Sequence, residues 1–295
     1  MISYFQAVVI GIIQGVTELF PISSLGHSVL IPSLFGWDEL AKAQSQPESF
    51  YLAFLVGLHV ATALALLVYF RDDWSRIIRG FLRTIPKRRI DTPDERLAWL
   101  LVVATIPVGI TGLALEHTLR TLFAKPLAAA ILLTVNGIIL LAGEQVRRRS
   151  EARQLAGSAD RAATPHESRR LDTLEFKESA VIGGAQTLAL LAGISRSGIT
   201  MVAGLARGLD HEDAARFSFL LATPIILAAG VYKLPELLGA NGDHIRGQVI
   251  VGGLFAAAAA YLSIRFLLRY FTSRNLNPFG IYCLAAGILC IIRFA

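Results

Sequence analysis

Charged residues and cysteines are both scarce in this chain. Of its 295 residues, 17% are charged and 54% are hydrophobic, and the mean hydropathy is +0.56. Soluble domains carry about 25% charged residues, so the composition argues against a soluble enzyme, a disordered chain and a coiled coil. With two cysteines in the whole chain, a disulfide scaffold is excluded. The sequence also lacks a Walker loop and a zinc-ligand spacing.

Long apolar stretches dominate what is present. A membrane-spanning helix needs about 20 mostly apolar residues, and six stretches meet this requirement. They lie at about Tyr51–Phe70, Leu97–Leu115, Pro126–Gly143, Phe217–Val231, Gly247–Leu268 and Pro278–Phe294. These stretches predict an all-α polytopic membrane protein in which residues 1–295 form a single integral membrane domain.

Two further apolar stretches are interrupted near their centres. The first, about Tyr4–Phe35, is broken by small and polar residues at Pro21–His27. The second, about Ser179–Leu205, is broken in the same way at Gly193–Gly198. Backbone that leaves the helix at membrane depth must be buried in protein or face a water-filled cavity. We therefore expect both stretches to form re-entrant helix hairpins.

Basic residues alternate between the loops. Arg71–Arg96 contains eight and Arg147–Lys177 eight more, whereas the three alternate loops hold five in all. The positive-inside rule places the basic loops in the cytoplasm. Both termini and the entrance of the first hairpin then face outward, and the second hairpin enters from the cytoplasm. Since the net charge of +6 reports topology, no nucleic-acid partner is expected.

The two hairpins resemble each other. At an offset of 172 positions, the matches are Gly11 with Gly183, Gln14 with Gln186, Ile22 with Ile194, Ser23 with Ser195, and Gly26 with Gly198. Three spans follow each hairpin, and an odd number of spans inverts the second half, as in many transporters. We predict repeat 1 at about 1–146, a cytoplasmic linker at about 147–177 and repeat 2 at about 178–295. Within the linker, Ser150–His166 has the composition of a polar, poorly ordered segment.

The first break carries groups capable of chemistry. Gln14 and Glu18 are four residues apart and share a helix face, and a carboxylate at membrane depth is by default a functional hypothesis. Ser23, Ser24 and His27 follow within a few residues. A hydroxyl, an imidazole and a carboxylate can form a nucleophile, base and orienting group, and histidine can also attack phosphorus itself. The alternative is a packing carboxylate with a capping serine and a structural histidine.

The second break places an arginine among hydroxyls and glycines. Its residues are Ser195, Arg196, Ser197, Gly198 and Thr200. The planar fork of Arg196 suits bidentate binding of phosphate, and a helix that begins there directs its N–H groups at an anion. Alternatively, Arg196 closes a structural salt bridge with Glu18, and the two roles are compatible. Together the breaks suit an oxyanion carried on a lipid.

Other candidates are weaker. His59 and Thr62 either line the site or pack in the core, and Cys283 and Cys290 are interpreted as packing residues. The phosphatidate-phosphatase type of lipid phosphatase is excluded, because Val202 stands where that signature requires a histidine.

Three segments resemble a known family. Gly11–His27 and Ala192–Thr200 resemble the paired signatures of the bacterial undecaprenyl-pyrophosphate phosphatases, the bacitracin-resistance family, and Ala214–Pro224 is also similar. The resemblance implies a multi-pass enzyme of the bacterial plasma (inner) membrane that hydrolyses undecaprenyl pyrophosphate to undecaprenyl phosphate and phosphate. It also implies a role in recycling the lipid carrier for peptidoglycan and cell-wall synthesis, and in bacitracin resistance.

The resemblance also assigns roles to residues. It implies the catalytic residues Glu18, Ser24, His27 and Arg196, the phosphate-binding residues Ser23, Ser195, Arg196, Ser197, Gly198 and Thr200, and Glu18 with Gln14 as ligands of Mg²⁺ or Ca²⁺. The sequence departs from the family pattern at Gln14, usually acidic, and at Ala192, usually proline. Whether His27, Ser24 or water attacks phosphorus stays open, as does a homodimer. The rival function is a lipid-carrier transporter or flippase.

Overall fold

The computed structural model is built of helices over the residues that it describes, which are 2–44, 46, 49–123, 125–158 and 169–295. The α-helices in chain order are α1 (Tyr4–Thr17), α2 (Ser24–Leu34), α3 (Asp38–Gln44), α4 (Phe50–Tyr69), α5 (Arg71–Lys87), α6 (Pro93–Phe123), α7 (Pro126–Ser158), α8 (Phe176–Gln186), α9 (Arg196–Leu205), α10 (His211–Leu238), α11 (Ala240–Asp243), α12 (Arg246–Phe271) and α13 (Asn277–Phe294). Two short 3₁₀ turns lie at Leu171–Thr173 and Thr187–Leu190. The all-α prediction is confirmed.

Six of these helices are long and apolar enough to cross a membrane: α4, α6, α7, α10, α12 and α13. They coincide with the six predicted spans. The agreement follows because a helix must have a long apolar run to cross the bilayer, and such a run can be read directly from the sequence. The chain is a multi-pass membrane protein.

Two helices extend or add to what the sequence predicts. α7 continues through Gly143 to Ser158, because the residues beyond the apolar run are mainly Arg, Glu, Gln and Ala, which favour a helix. Residues 159–168 of the expected linker lie outside the described part of the chain. α5 replaces what was expected to be a basic loop, and it is amphipathic, with Ile77 and Thr84 buried on one face.

Close backbone contacts join α1 to α12 and α8 to α6. A β-carbon on Gly11 would fall 2.3 Å from the carbonyl oxygen of Gly252, and one on Gly183 would fall 2.2 Å from that of Ala104. Only glycine permits such approaches. They set the positions of α1 and α8, and therefore of the two breaks that follow these helices.

The breaks lie slightly earlier than the sequence analysis predicts. The first occupies the residues between Thr17 and Ser24, and the second ends where α9 begins at Arg196. Ser23 and Ser195 are the N-caps of the helices that follow. The polar residues placed inside the breaks, among them His27 and Gly198, therefore belong to first turns of helices.

Candidate active site

Two matched serine caps shape the site. The Ser23 hydroxyl accepts a hydrogen bond from the backbone N–H of Gly26 at 3.1 Å, and the Ser195 hydroxyl accepts one from Gly198 at 3.2 Å. Each cap satisfies a backbone donor that the helix itself leaves unpaired. Ser23 adopts a φ of 72°, a conformation that non-glycine residues rarely take. Such strain often occurs at functional sites.

The two breaks touch each other. The Ser23 hydroxyl also accepts a hydrogen bond from the backbone N–H of Gly193 at 3.2 Å, although the two residues are far apart in sequence. From the first turn of α9, the Ser197 hydroxyl donates to the carbonyl of Phe20, inside the first break, at 3.1 Å. The structure therefore brings the two predicted clusters into one site.

Asn136 of α7 joins the two breaks from the side. Its amide nitrogen donates to the Pro21 carbonyl at 3.0 Å, and its amide oxygen accepts from the Ser195 backbone N–H at 2.9 Å. The amide nitrogen also lies 3.3 Å from the Cys283 sulfur. Asn136 is fully buried, so these bonds replace the water that its amide would otherwise bind.

Glu18 is the electrostatic centre of the site. Its Oε1 accepts from Nη2 of Arg196 at 3.0 Å, and its Oε2 accepts from the Ser24 hydroxyl at 2.5 Å and from the Gln14 amide at 3.1 Å. Nε2 of His59 lies 3.4 Å from the same Oε2. The Glu18 side chain is only 5% exposed, and a buried carboxylate requires such partners.

This arrangement suits nucleophilic chemistry. The Ser24 hydroxyl points at a carboxylate within hydrogen-bond reach, which is the geometry of a nucleophile beside a base. Arg196 is paired with the carboxylate, and its side chain is 13% exposed. Its guanidinium has further donors for a phosphate. The salt bridge between Arg196 and Glu18, stated as an alternative from the sequence, is present, and it is compatible with phosphate binding.

The hydroxyls of the second break and of the helix α9 that follows it are hydrogen-bonded within the protein. The Ser195 and Ser197 hydroxyls lie 3.0 Å apart, and the Thr200 hydroxyl lies 2.6 Å from that of Ser218. The hydroxyls of Ser195, Ser197 and Thr200 are buried and hold the break in shape. Their direct contact with phosphate stays a prediction, as does that of Ser23 and Gly198.

His27 lines the same cavity as Ser24, but its hydrogen-bond partners do not include Glu18. Its Nδ1 is 2.7 Å from the Ser23 carbonyl oxygen, and its Nε2 is 2.8 Å from the hydroxyl of Tyr282. One narrow cavity is lined by Ile10, Ile13, Gln14, Ser24, His27, Ser28, Ile31, Pro32 and Tyr51. It therefore combines apolar walls with polar groups of α1 and α2, the helices on either side of the first break.

Comparison with known proteins places the chain in a family. The family model described as bacitracin resistance protein BacA matches residues 7–289. The chain belongs to this family. It is 60% identical to undecaprenyl-diphosphatase 2 of Frankia alni, with 100% of this chain and 98% of that protein covered. It is 58% identical to the undecaprenyl-diphosphatase of Mycolicibacterium paratuberculosis, with the same coverage, and 45% identical to undecaprenyl-diphosphatase 2 of Burkholderia lata, with 98% and 96% covered.

Three residues at the site were absent from the predicted catalytic set. His59, only a weak candidate from the sequence, lies beside Glu18. Asn136 is a lone amide in the apolar run of α7. Because polar residues at membrane depth are rare, its position in that run indicates a functional or structural role. Tyr282 has no comparable signal, since tyrosine is common in spans. Cys283 and Cys290 are buried, in agreement with their interpretation as packing residues.

The groups around Glu18 do not fit a resident divalent cation. Both carboxylate oxygens already accept hydrogen bonds, and one donor is the cationic Arg196. Among the described residues, no three His, Cys, Asp or Glu side chains converge on one point, whereas Mg²⁺ and Ca²⁺ prefer several oxygen ligands. The cation that the family implies, with Glu18 and Gln14 as ligands, stays a prediction. No step proposed below uses it.

Proposed function

We propose that this chain is a membrane-bound undecaprenyl-diphosphatase that removes the terminal phosphate from undecaprenyl diphosphate. The observation that carries the proposal is the contact of the Ser24 hydroxyl and the Arg196 guanidinium with one buried carboxylate, Glu18. A nucleophile, a base and an anion-binding cation are thus within one hydrogen-bond network. The names of full-length relatives at 45% to 60% identity support the same substrate.

In the first proposed step, Ser24 attacks the terminal phosphorus. A bond forms between Ser24 Oγ and phosphorus while the bond from phosphorus to the bridging oxygen breaks. The Ser24 proton passes to Glu18. Undecaprenyl phosphate leaves as an anion, so no proton has to be donated to it. Arg196 neutralises the charge that develops on the phosphoryl oxygens.

In the second step, water hydrolyses the phosphoserine. The water oxygen bonds to phosphorus, the bond to Ser24 Oγ breaks, and the serine regains its proton from Glu18. The proton that the water loses passes to Nε2 of His27, which lines the same cavity as Ser24. The products are inorganic phosphate and enzyme with protonated His27. Loss of that proton from Nε2 to bulk water restores the free enzyme, so one water is consumed for each diphosphate.

The proposal includes two inverted repeats, each with a re-entrant hairpin. Supporting evidence comes from paired contacts: Gly11 and Gly183, which match at the 172-residue offset, pack on carbonyls of α12 and α6, respectively. The caps Ser23 and Ser195 match at the same offset. In this arrangement the site opens to the outside of the bacterial plasma membrane, and both termini face outward. Recycling of the lipid carrier for wall synthesis and bacitracin resistance follow from such an activity.

The test uses protein purified in detergent with undecaprenyl diphosphate. We expect release of inorganic phosphate from the native protein, and Ser24→Ala should lower it by roughly a hundredfold or more. Ser33→Ala is the matched control, since this hydroxyl on the same helix donates to the Val29 carbonyl of that helix. Acid-quenched protein should carry phosphate on Ser24. Phosphate mapped instead to His27 would transfer the nucleophile to the imidazole.

A lipid-carrier transporter is the second candidate, because the paired contacts of α1 with α12 and α8 with α6 resemble the repeat plan of transporters. Detergent-solubilised protein has no membrane to transport across. Phosphate release there supports the enzyme, whereas lipid binding without release supports the transporter.

A further inference from the structure

The tautomer of His27 is fixed by its neighbours. Its Nδ1 lies 2.7 Å from the Ser23 carbonyl oxygen. A carbonyl oxygen only accepts hydrogen bonds, so Nδ1 must carry the proton. The ring is 6% exposed, and its two hydrogen bonds are to neutral groups. A buried imidazole in such surroundings is neutral, and its lone pair is therefore on Nε2.

Tyr282 of α13 donates a hydrogen bond to that lone pair. The tyrosine hydroxyl lies 2.8 Å from Nε2 of His27, and since Nε2 has no proton in this tautomer, the hydroxyl must be the donor. The two rings are nearly parallel, with an interplanar angle of 9° and a centroid separation of 5.9 Å. The imidazole is thus held between a strained serine in the first half of the chain and a tyrosine near its end.

We propose that Tyr282 is a positioning residue for His27. The Tyr282 hydroxyl donates to the lone pair on Nε2, the nitrogen that must accept a proton, and so fixes the orientation of the imidazole ring in the cavity shared by His27 and Ser24. This inference rests on the proposed function, in which Nε2 of His27 takes the proton of the hydrolytic water. During hydrolysis the water replaces the Tyr282 hydroxyl as the hydrogen-bond partner of Nε2. Once Nε2 is protonated, the phenol oxygen accepts a hydrogen bond from it and stabilises the imidazolium.

The chemistry assigns Tyr282 to the second step rather than the first. Ser24 is activated by Glu18, which lies outside the contacts of the imidazole. Loss of the Tyr282 hydroxyl should therefore leave phosphorylation of Ser24 largely intact and slow the hydrolysis of the phosphoserine. A merely structural tyrosine would weaken both steps together or neither.

The test compares Tyr282→Phe with Tyr261→Phe in purified, full-length protein. Both tyrosines are partly exposed on spans, at 44% and 41%, but Tyr261 makes an edge contact with the ring of Tyr69. We expect Tyr282→Phe to lower steady-state phosphate release by about tenfold or more, with little change in KM. The acid-trapped phosphoenzyme should accumulate in this variant. Tyr261→Phe should match the native protein.

Nitrogen-15 NMR of histidine-labelled protein provides a readout that does not depend on activity. The His27 signals, identified by their loss in His27→Gln, should show protonated Nδ1 and hydrogen-bonded, unprotonated Nε2. In Tyr282→Phe the Nε2 signal should shift. An unchanged Nε2 signal, or a protonated Nε2 in the native protein, would overturn the inference. If native protein releases no phosphate, the proposed function fails, whereas the NMR result still decides whether the Tyr282 hydroxyl donates to Nε2 of His27.

Discussion

Gly26 packs directly on Gly193 where the two breaks meet. A β-carbon on Gly26 would fall 3.1 Å from Cα of Gly193. Gly193 has a φ of +117°, and a β-carbon there would fall 2.6 Å from the carbonyl oxygen of Ala129. The close approach of the backbones is what allows Arg196, just beyond the second break, to reach Glu18, the first residue of the first break.

We predict that Gly193→Ala destabilises the protein by about 2–4 kcal/mol, because the substitution combines an unfavourable φ with a backbone clash. Gly184→Ala on α8 is the control, since a β-carbon there meets open space, and alanine favours a helix. Thermal unfolding in detergent measures both. Equal melting temperatures for the two variants would show that the break relaxes without cost.

The spans were predictable because hydrophobic length is a local property. The six predicted spans match the helices to within a few residues at most ends. The ends of the broken segments were less predictable, because Ser23 and Ser195 act as caps through contacts that the apolar pattern does not encode. α5 was interpreted as a loop because its many arginines outweigh the short buried face that contains Ile77 and Thr84.

The centre of the site was predictable in part. Gln14, Glu18 and Ser24 are close in sequence, and the inverted topology predicted that Arg196 would join them. Asn136 and Tyr282 lie on spans far from the paired signatures, and nothing in their own segments shows which way α7 and α13 turn. Their roles depend on tertiary packing, which a periodicity argument does not determine.

Asn136→Leu should destabilise the protein and lower its activity together. The substitution removes the buried partner of the Ser195 N–H and leaves the Pro21 carbonyl with the more distant Cys283 sulfur at 3.9 Å, at a cost of about 1–3 kcal/mol for each weakened group. Thr105→Ala is the control, because the Thr105 hydroxyl donates to the Leu101 carbonyl of its own helix. Thermal unfolding and phosphate release are the measurements. A native melting temperature for Asn136→Leu would mean that the breaks are held without α7.

Arg196→Lys separates charge from geometry at the site. Lysine keeps the positive charge but loses the planar fork that pairs with Glu18 and suits phosphate. We expect turnover to fall by roughly tenfold in Arg196→Lys and by a hundredfold or more in Arg196→Ala. Phosphate release from protein of verified folding measures both. Native turnover in the alanine variant would remove the arginine from the reaction.

Cysteine labelling of intact cells tests the orientation. Single cysteines at Asp38 and His244 should react with a membrane-impermeant maleimide from outside, whereas those at Ile90 and Ser273, in arginine-rich loops, should not. All four positions are exposed. The native cysteines are buried, so unmodified protein serves as the unlabelled control. The reverse pattern would turn the site toward the cytoplasm.

A substitution at Gln14 tests whether Gln14 and Glu18 bind a divalent cation. The Gln14 amide donates to Glu18 at 3.1 Å, so Gln14→Glu replaces a hydrogen bond with a second carboxylate at close range. Two carboxylates repel each other without a counter-ion, and together they strengthen a site for a hard cation. We expect Gln14→Glu to remain active. If the cation that the family implies binds at this pair, the variant should reach half-maximal rate at a lower Mg²⁺ concentration than the native protein.

The measurement is phosphate release against Mg²⁺ for chelator-treated native protein, Gln14→Glu and Glu18→Gln. Glu18→Gln should lose turnover by roughly a hundredfold at every Mg²⁺ concentration, because the amide has no charge to pair with Arg196 and does not accept the Ser24 proton. If Gln14→Glu shows the native Mg²⁺ dependence, the pair does not hold the cation. Glu18 would then act only as the base for Ser24 and the partner of Arg196, which is the arrangement that its hydrogen bonds already describe.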